Sequence, residues 1–363
     1  MAALARLDAH PSCMKLVMTL LVRDEADIVD AQIAFHLHAG VDFVIATDNG
    51  SRDGTTEILE RYERAGVLHL ISEPSDQMRQ SEWVTHMARL AATDFGADWV
   101  MNTDADEFWW PRGGFLKEVL GTVPDRFGVV RGCWRHFLPS PDDAGFFSER
   151  MTVRLATPAF PGDKATIFHA HQKVAHRGDP QVTVEAGNHN AIGVGLDPIR
   201  AWHPIEVLHF SFRSVSQLVR KGEGAWLRTD GYEPTLHQFL LVEAKRTGRL
   251  EEFYASFAVT EEALERGASD GTLAVDTRLR DALRTLRAED GAFRLPETGA
   301  QSLLSFPRPD VREEGTYAAE AAALVDIDCV IRAERRVDAF EERLAALERA
   351  PLSRLHRLGL PSR

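Results

Sequence analysis

The sequence predicts an α/β fold: a mixed, mainly parallel sheet flanked by helices, followed by a helical C-terminal region. Two observations predict it. Short apolar runs alternate with helix-patterned runs through the first hundred residues, and the apolar runs end in clusters of Asp, Asn, Gly and Arg. Alternation at this spacing calls for parallel strands with crossover helices on both faces. In such sheets, ligands bind at the carboxyl ends of the strands.

In order, residues 15–22 (KLVMTLLV) read as a buried strand. Residues 27–39 carry Ile28, Ile33 and Leu37 at roughly helical spacing. Residues 43–47 (FVIAT) are strand-like. Residues 55–65 form a helix with Ile58, Leu59 and Tyr62 on one face and Asp53 placed to cap it. Residues 67–71 are a third strand, 81–95 a helix through Trp83, Met87, Leu90 and Ala91, and 98–103 (DWVMNT) a fourth strand. From 128 to 212 the pattern changes to short strand-like pieces at 129–134, 152–155, 182–185 and 206–210, set among Pro, Gly and His. This reads as a mixed half of the same sheet with long functional loops. Helical patterning returns from Ser214 onward.

These readings divide the chain into a main domain at 14–250, a helical extension at 251–290, a linker at 291–317 rich in Pro and Gly, and an amphipathic helix at 318–350. In that last helix Val330, Ala333, Val337, Phe340, Leu344 and Leu347 recur at alternating spacings of three and four. The seam is short, so it serves equally a helix docked on its own domain and one that pairs copies of the chain.

Composition excludes several function classes. Of 363 residues 44% are apolar, which rules out disorder of the whole chain. A net charge of -13 argues against a protein whose task is gripping nucleic acid, since that affinity comes mainly from Lys and Arg on phosphates. The three cysteines, Cys13, Cys133 and Cys329, show no paired spacing, which argues against a disulfide framework or a cysteine-rich zinc site and fits a reducing, cytoplasmic setting. No apolar run approaches the roughly 18–20 residues that span a bilayer, so membrane contact is expected only peripherally, at the inner face. Residues 1–12 read as a loose leader, with Met14 an alternative start.

The strongest local signal is Asn102-Thr103-Asp104-Ala105-Asp106-Glu107-Phe108, which follows the apolar run 99–101. Three carboxylates within four residues repel one another, and such a cluster at a strand exit needs a cation or a strong hydrogen-bond network. Alternation along an extended segment puts Asp104 and Asp106 on one side and turns Ala105 away. Two convergent hard oxygens suit Mg²⁺ or Mn²⁺, completed by substrate phosphates and water. The first strand ends in Arg23-Asp24-Glu25 and the second in Asp48-Asn49-Gly50-Ser51-Arg52-Asp53-Gly54. Asp48 at the strand tip is placed to accept hydrogen bonds from a nucleobase or ribose. Taken alone, that segment is better explained by an ordinary strand-to-helix turn with a cap.

The order strand–RDEA, strand–DNGSRDGT, strand–DADEF resembles the glycosyltransferase family 2 pattern within the Rossmann-like GT-A fold, over about residues 14 to 250. It looks closest to the branch in which the DxD motif extends to DADEF. There a Gly-Asn-His segment comes later, here Gly187-Asn188-His189, followed by a stretch here running from His209-Phe210-Ser211-Phe212-Arg213-Ser214 to Lys221. The resemblance implies that Asp48 contacts the nucleoside of a nucleotide-sugar donor, UDP-linked by preference, with Arg23, Glu25 and Asn49 nearby. It implies that Asp104 and Asp106 bind ribose and the metal–diphosphate, that His209 is a further ligand of Mn²⁺ or Mg²⁺, and that Arg213 and Lys221 neutralise the leaving diphosphate. It also implies transfer with inversion to a glycan or glycolipid hydroxyl, as in assembly of a cell-surface polysaccharide. Asn49 stands where the family's turn has a second Asp, which leaves the nucleotide open.

Inversion needs a group that deprotonates the acceptor. Glu185 lies about where the family places its base, and His189 follows it. Asp179 and Asp230 are rivals. His169, His171 and His176 lack an evident third ligand and read as exposed or loop histidines. Trp109 and Trp110 fit a sugar platform and a core wall equally. A dinucleotide-binding fold is excluded, because RDEADI replaces the glycine-rich turn after the first strand. A phosphatase using DxD wants Thr or Val where Phe108 stands, and a nucleotidyltransferase wants a glycine-rich basic loop. A non-catalytic nucleotide-sugar-binding or scaffolding protein is the alternative of a different class.

Overall fold

The computed structural model describes residues 14–75, 79–157, 168, 171–200, 202–221, 236–297, 301–310, 312–313 and 315–322. The alternating half runs β1 (Leu16–Val22), α1 (Val29–His38), β2 (Phe43–Asp48), α2 (Thr55–Arg64), β3 (Leu68–Ser72), α3 (Gln80–Thr93) and β4 (Trp99–Asp104). The mixed half continues with β5 (Glu107–Pro111), α4 (Leu116–Gly121), β6 (Val129–His136), α5 (Phe147–Arg150), β7 (Val153–Leu155), β8 (Gln172–Arg177), β9 (Thr183–Val184), β10 (Ala191–Ile192) and β11 (Ile205–His209). Then come α6 (Val215–Lys221), α7 (Leu236–Arg246), α8 (Leu250–Ala255), α9 (Glu261–Asp270), β12 (Leu273–Val275) and α10 (Arg278–Leu286).

Eight strands form one sheet in the order β3-β2-β1-β4-β8-β6-β11-β5. β1 pairs in parallel with β2 and β4, β2 with β3, and β6 with β11; β8 and β5 run against their neighbours. The sheet is therefore mixed and mainly parallel, with helices on both faces. Alternation along β1 explains the two layers. Leu16, Met18, Leu20 and Val22 enter a core with α1, α2 and α10. Val17 and Leu21 enter the opposite core with Trp83, Val84 and Met87 of α3.

The sheet has to curl. Only Ala105 and Asp106 separate the end of β4 from the start of β5, a reach of at most about 11 Å for three peptide steps. In a flat sheet four strand spacings, about 19 Å, would separate β4 from β5. Bringing β5 back to the tip of β4 gathers the ends of β8, β6 and β11 around the DADE segment. His36 of α1 pins β5 there: its Nε2 accepts the Trp109 backbone N–H at 3.0 Å while Nδ1 donates to the Gln32 carbonyl at 2.8 Å. Burial lowers the His36 pKa to about 3, so it stays neutral.

Several local expectations change. Gly54, not Asp53, occupies the N-cap position of α2, with a φ of 101° that suits glycine; Asp53 sits one residue earlier and accepts from the Thr55 N–H at 3.1 Å. His176 lies on β8 fully buried, its Nδ1 on the Arg177 carbonyl, rather than in an exposed loop. Trp109 and Trp110 are core residues. Within 291–317, Leu304 and Phe306 are buried, and Phe306 meets Trp110 at 5.1 Å and Phe115 at 5.4 Å between ring centres. Residues 315–322 are helical, and the Tyr317 hydroxyl donates to the Ile205 carbonyl at 2.7 Å. The heptad residues 330–347 lie outside the described residues, as do His169 and Asp230. Among the described residues no helix is long and apolar enough to cross a membrane.

Tight chain approach at the far end of the sheet supplies a direct test of this register. A Cβ on Gly178 would stand 2.0 Å from the Ala97 carbonyl oxygen, a backbone atom that cannot step aside. Gly178→Ala should cost about 1–3 kcal/mol as overpacking, read as a lower urea midpoint with an unchanged slope.

Candidate active site

β4 delivers Asp104 at its last position, and the turn to β5 delivers Asp106 and Glu107. Their neighbours differ. Lys173 of β8 donates to Asp104 and reaches Glu107 at 2.9 Å. Asn188 donates from Nδ2 to Asp104 Oδ1 at 3.1 Å. Glu107 also accepts from the Asp104 N–H at 3.1 Å and the Trp134 indole N–H at 2.9 Å. Asp106 accepts from Lys221 at 2.9 Å, and Arg213 Nη1 stands 3.8 Å from it. His209 Nε2 stands 3.7 Å from Asp106 Oδ1. The repulsion anticipated for three clustered carboxylates is thus met by two lysines, one on each side of the turn.

Arg213 is completely buried and fully engaged. It pairs with Glu25, donates to Asp27 through Nε at 2.7 Å and Nη2 at 3.1 Å, and donates to the Phe210 carbonyl at 3.1 Å. Arg220 joins Asp27 at 3.2 Å. This ionic bridge fastens the loop after β1 to the start of α6, beneath Asp106. Lys221 keeps 32% of its side chain exposed and is the cation with a path outward.

Electrostatics follow from burial and pairing. Burial alone would raise Asp106, but Lys221, His209 and Arg213 outweigh it and hold the carboxyl well below its usual range. Glu107 is pushed up to about 8 by burial, against the pull of Lys173. Burial lowers His209, with its cationic neighbours adding to the effect and Asp106 opposing it. Burial raises Glu25 despite Arg213.

Among the described residues one set could hold a metal ion: Asp106, Glu107 and His209, each offering a ligand atom, all within 4.8 Å of one another. Two carboxylate oxygens and one imidazole nitrogen are a donor set that fits Mn²⁺, and Mg²⁺ less closely because of the nitrogen. Asp104, the other carboxylate expected to bind the cation, lies beside this set: its oxygens accept from Lys173 and Asn188, as those of Glu107 accept from Lys173, Trp134 and the Asp104 N–H.

The other expected residues form the surroundings. Asp48 is committed to its own turn, accepting the Ser51 N–H at 3.0 Å and the Ser51 and Thr56 hydroxyls. Asn49 donates to the Glu73 and Ser75 carbonyls at 3.1 and 2.7 Å, and Arg23 donates to it at 3.3 Å. Glu185 opens a short 3-10 turn (Ala186–Asn188) and accepts from the Asn190 amide at 3.3 Å. His189 stacks on His171 with ring centres 4.0 Å apart and meets the edge of Trp134 at 5.8 Å. Asp179 and His176 lie elsewhere: Arg177 pairs with Trp99 at the start of β4, about 17 Å from Asp104 by strand rise.

The sequence does not single out Lys173, Trp134 or His136, and marks Asn188 only as part of the Gly187-Asn188-His189 segment, with no role. Trp134 stacks on His209 at 4.1 Å, making it the aromatic of the site in place of Trp109 and Trp110. Asn188 is buried with φ at 59°, a left-handed conformation that Asn tolerates better than most residues.

Residues 18–126 match the model of glycosyltransferase family 92. The match spans β1 to β5, including both the DNGSRDG turn and the DADE segment. No curated protein matches the chain. Among solved structures, S. aureus TarS 1–349 in complex with UDP-GlcNAc is similar at 12% identity over 68% of this chain and 74% of that one, TM-score 0.33. The same protein in complex with UDP is similar at 10% identity over 78% and 97%, TM-score 0.32. Glucosyl-3-phosphoglycerate synthase from Mycobacterium tuberculosis, in complex with Mn²⁺, UDP and glucosyl-3-phosphoglycerate, is similar at 20% identity over 34% and 45%, TM-score 0.26.

Proposed function

We propose that this glycosyltransferase moves a sugar from a nucleotide-sugar donor, UDP-linked by preference, to a hydroxyl of a glycan or glycolipid, with inversion and with Mn²⁺ or Mg²⁺. The observation that carries the reading is the convergence of Asp106, Glu107 and His209 beside Lys221 at the curled end of the sheet. The motif order that resembles family 2 and the family 92 match over 18–126 both support this class of chemistry.

Asp106, Glu107 and His209 would hold the cation, which supplies positive charge to the departing nucleoside diphosphate. Lys221 adds a second positive charge on that side. Asp104, oriented by Lys173 and Asn188, faces the ribose. Arg23, Glu25, Asp48 and Asn49 form the nucleoside wall, with Asp48 and Asn49 setting the shape of the loop. Arg213 holds Glu25 and Asp27 in place behind Asp106. The acceptor oxygen attacks the anomeric carbon from the face opposite the diphosphate, and Glu185, with His189 beside it, takes the acceptor proton. A cytoplasmic setting against the inner membrane face, and self-association through 318–350, belong to the same reading.

Thermal unfolding with UDP-, GDP-, CMP- and TDP-linked ligands, with and without Mn²⁺, tests it. A ligand held at 100 times its Kd adds about 2.7 kcal/mol. A Mn²⁺-dependent shift for the uridine class is expected, together with slow donor hydrolysis, which a mere binding protein would lack. A well-folded sample that shifts with no nucleotide would overturn the reading.

A further inference from the structure

His136 and His209 present their Nδ1 atoms to each other at 3.2 Å. Two imidazole nitrogens at that distance form a hydrogen bond only when one carries the proton and the other a lone pair. Two arrangements satisfy the pair. If His209 carries its proton on Nδ1, its Nε2 has a lone pair directed to the side where Asp106 Oδ1 stands 3.7 Å away. If His136 is the donor, His209 Nε2 carries the hydrogen and has nothing to offer a cation.

We propose that His136 is a positioning residue: by accepting the His209 Nδ1 hydrogen it fixes the tautomer in which His209 Nε2 can ligate the divalent cation between Asp106 and Glu107. The proposal rests on the metal reading given above. The framework around the ring supports it. His136 stands directly opposite His209 in the parallel register of β6 and β11. Trp134, two residues earlier on β6, stacks on the His209 ring at an interplanar angle of 25°. The His209 carbonyl accepts the Phe137 N–H at 2.9 Å. One strand thereby sets the plane of the imidazole through Trp134 and its proton through His136. The Trp134 indole N–H also donates to Glu107, so β6 supports two of the three candidate ligands. Partners of this kind behind a metal-binding histidine fix ring orientation and raise ligand basicity.

Titration of the full chain with Mn²⁺ alone, followed by electron paramagnetic resonance of the free ion, tests the proposal. His136→Phe keeps a ring against Trp134 and removes the acceptor; it should weaken Mn²⁺ about 10–100-fold. His136→Asn places an amide oxygen near the Nδ1 position and should recover most of that affinity. Long-range proton–nitrogen spectra of histidine-labelled, metal-free wild type should show His209 protonated at Nδ1, before any cation at Nε2 imposes that tautomer. That spectrum decides the matter even if His136→Phe fails to fold. Unchanged Mn²⁺ affinity in folded His136→Phe, or His209 protonated at Nε2 in the metal-free chain, would overturn the proposal. If Asp106→Ala abolishes Mn²⁺ binding while His136→Phe does not, this inference alone fails. If wild type binds no Mn²⁺, the metal reading falls and this inference falls with it.

Discussion

Asp106→Asn should lower the rate of sugar transfer by about 10³-fold or more, with a smaller loss, about 1–3 kcal/mol, in the stability of the metal-free chain. Each factor of ten is 1.36 kcal/mol, so the loss is about 4 kcal/mol, the scale expected of one group that stabilises charge in a closed site. The asymmetry follows from the surroundings of the residue. Its carboxylate lies between Lys221 on one oxygen and His209 on the other, and those groups hold it ionised against burial. Asparagine preserves volume and one oxygen but removes the charge a cation needs, and its NH₂ confronts either Lys221 or the histidine. The stability loss stays below that of a fully enclosed ion cluster because Arg213 retains Glu25 and Asp27, and Lys221 is a third exposed to water. Asp104→Asn should behave differently. Its contacts are Lys173 and Asn188, outside the candidate metal set, so KM should rise more than kcat falls. Steady-state kinetics with Mn²⁺ titration distinguish the two. A folded Asp106→Asn enzyme within tenfold of wild type would remove Asp106 from the centre of the reaction.

The residues that read most directly from sequence are those whose environment is set by a single element. β1, β2 and β4 are apolar on both faces because both faces are covered, and such runs are visible without knowing the fold. Helix α1 shows no clear stripe for the same reason: nearly every residue in it is buried, including Gln32, His36 and His38. β5 is not legible in sequence because EFWWP follows the DADE motif without a break and reads as its tail, while its partner β11 lies about a hundred residues later. β8 carries Gln172, Lys173, His176 and Arg177, a polar pattern that argues against a buried strand until the carboxylates facing Lys173 are known. The site divides the same way. Asp104, Asp106 and His209 are marked by motif and strand end. Lys173 enters through the pairing of β8 with β4, and Trp134 and His136 through the strand order β8-β6-β11-β5, neither of which any local spacing encodes. Asp48 and Arg213 are also marked by motif; their hydrogen bonds run to the Ser51–Thr56 turn and to the Glu25–Asp27 pair.

Glu206→Gln should destabilise the chain by about 3–5 kcal/mol at neutral pH, the cost of removing one partner from a buried ion cluster. Against a total of about 5–15 kcal/mol for a typical domain, that is enough to leave the variant partly unfolded at 37 °C. Glu206 lies on β11 with 3% of its side chain exposed. Arg135 and Arg278 donate to it at 2.9 and 2.8 Å, and Arg112 stands at 3.3 Å. Three guanidiniums would then share a site with no carboxylate at its centre. The same cluster holds the chain beyond residue 314: Tyr317 lies between Arg112 and Arg135, 4.2 and 4.8 Å from its ring centre, and Glu320 accepts from Arg135 at 3.0 Å. Amides in 315–322 should therefore exchange faster in the variant than those of β1. The pH dependence fixes the cause. Burial alone would raise the Glu206 carboxyl, but Arg278, Arg135 and Arg112 outweigh it and lower the carboxyl from 4.5 to about 2. A folded value below the unfolded one means the stabilisation is complete above about pH 4.5 and is lost as pH falls toward 2. The shift corresponds to about 3 kcal/mol. Urea unfolding of wild type and variant should differ fully at pH 7, and the gap should narrow below pH 4.5. A gap that stays constant down to pH 3 would assign the loss to packing around residue 206, since only the ionised carboxylate's pairing with the three arginines titrates in that window.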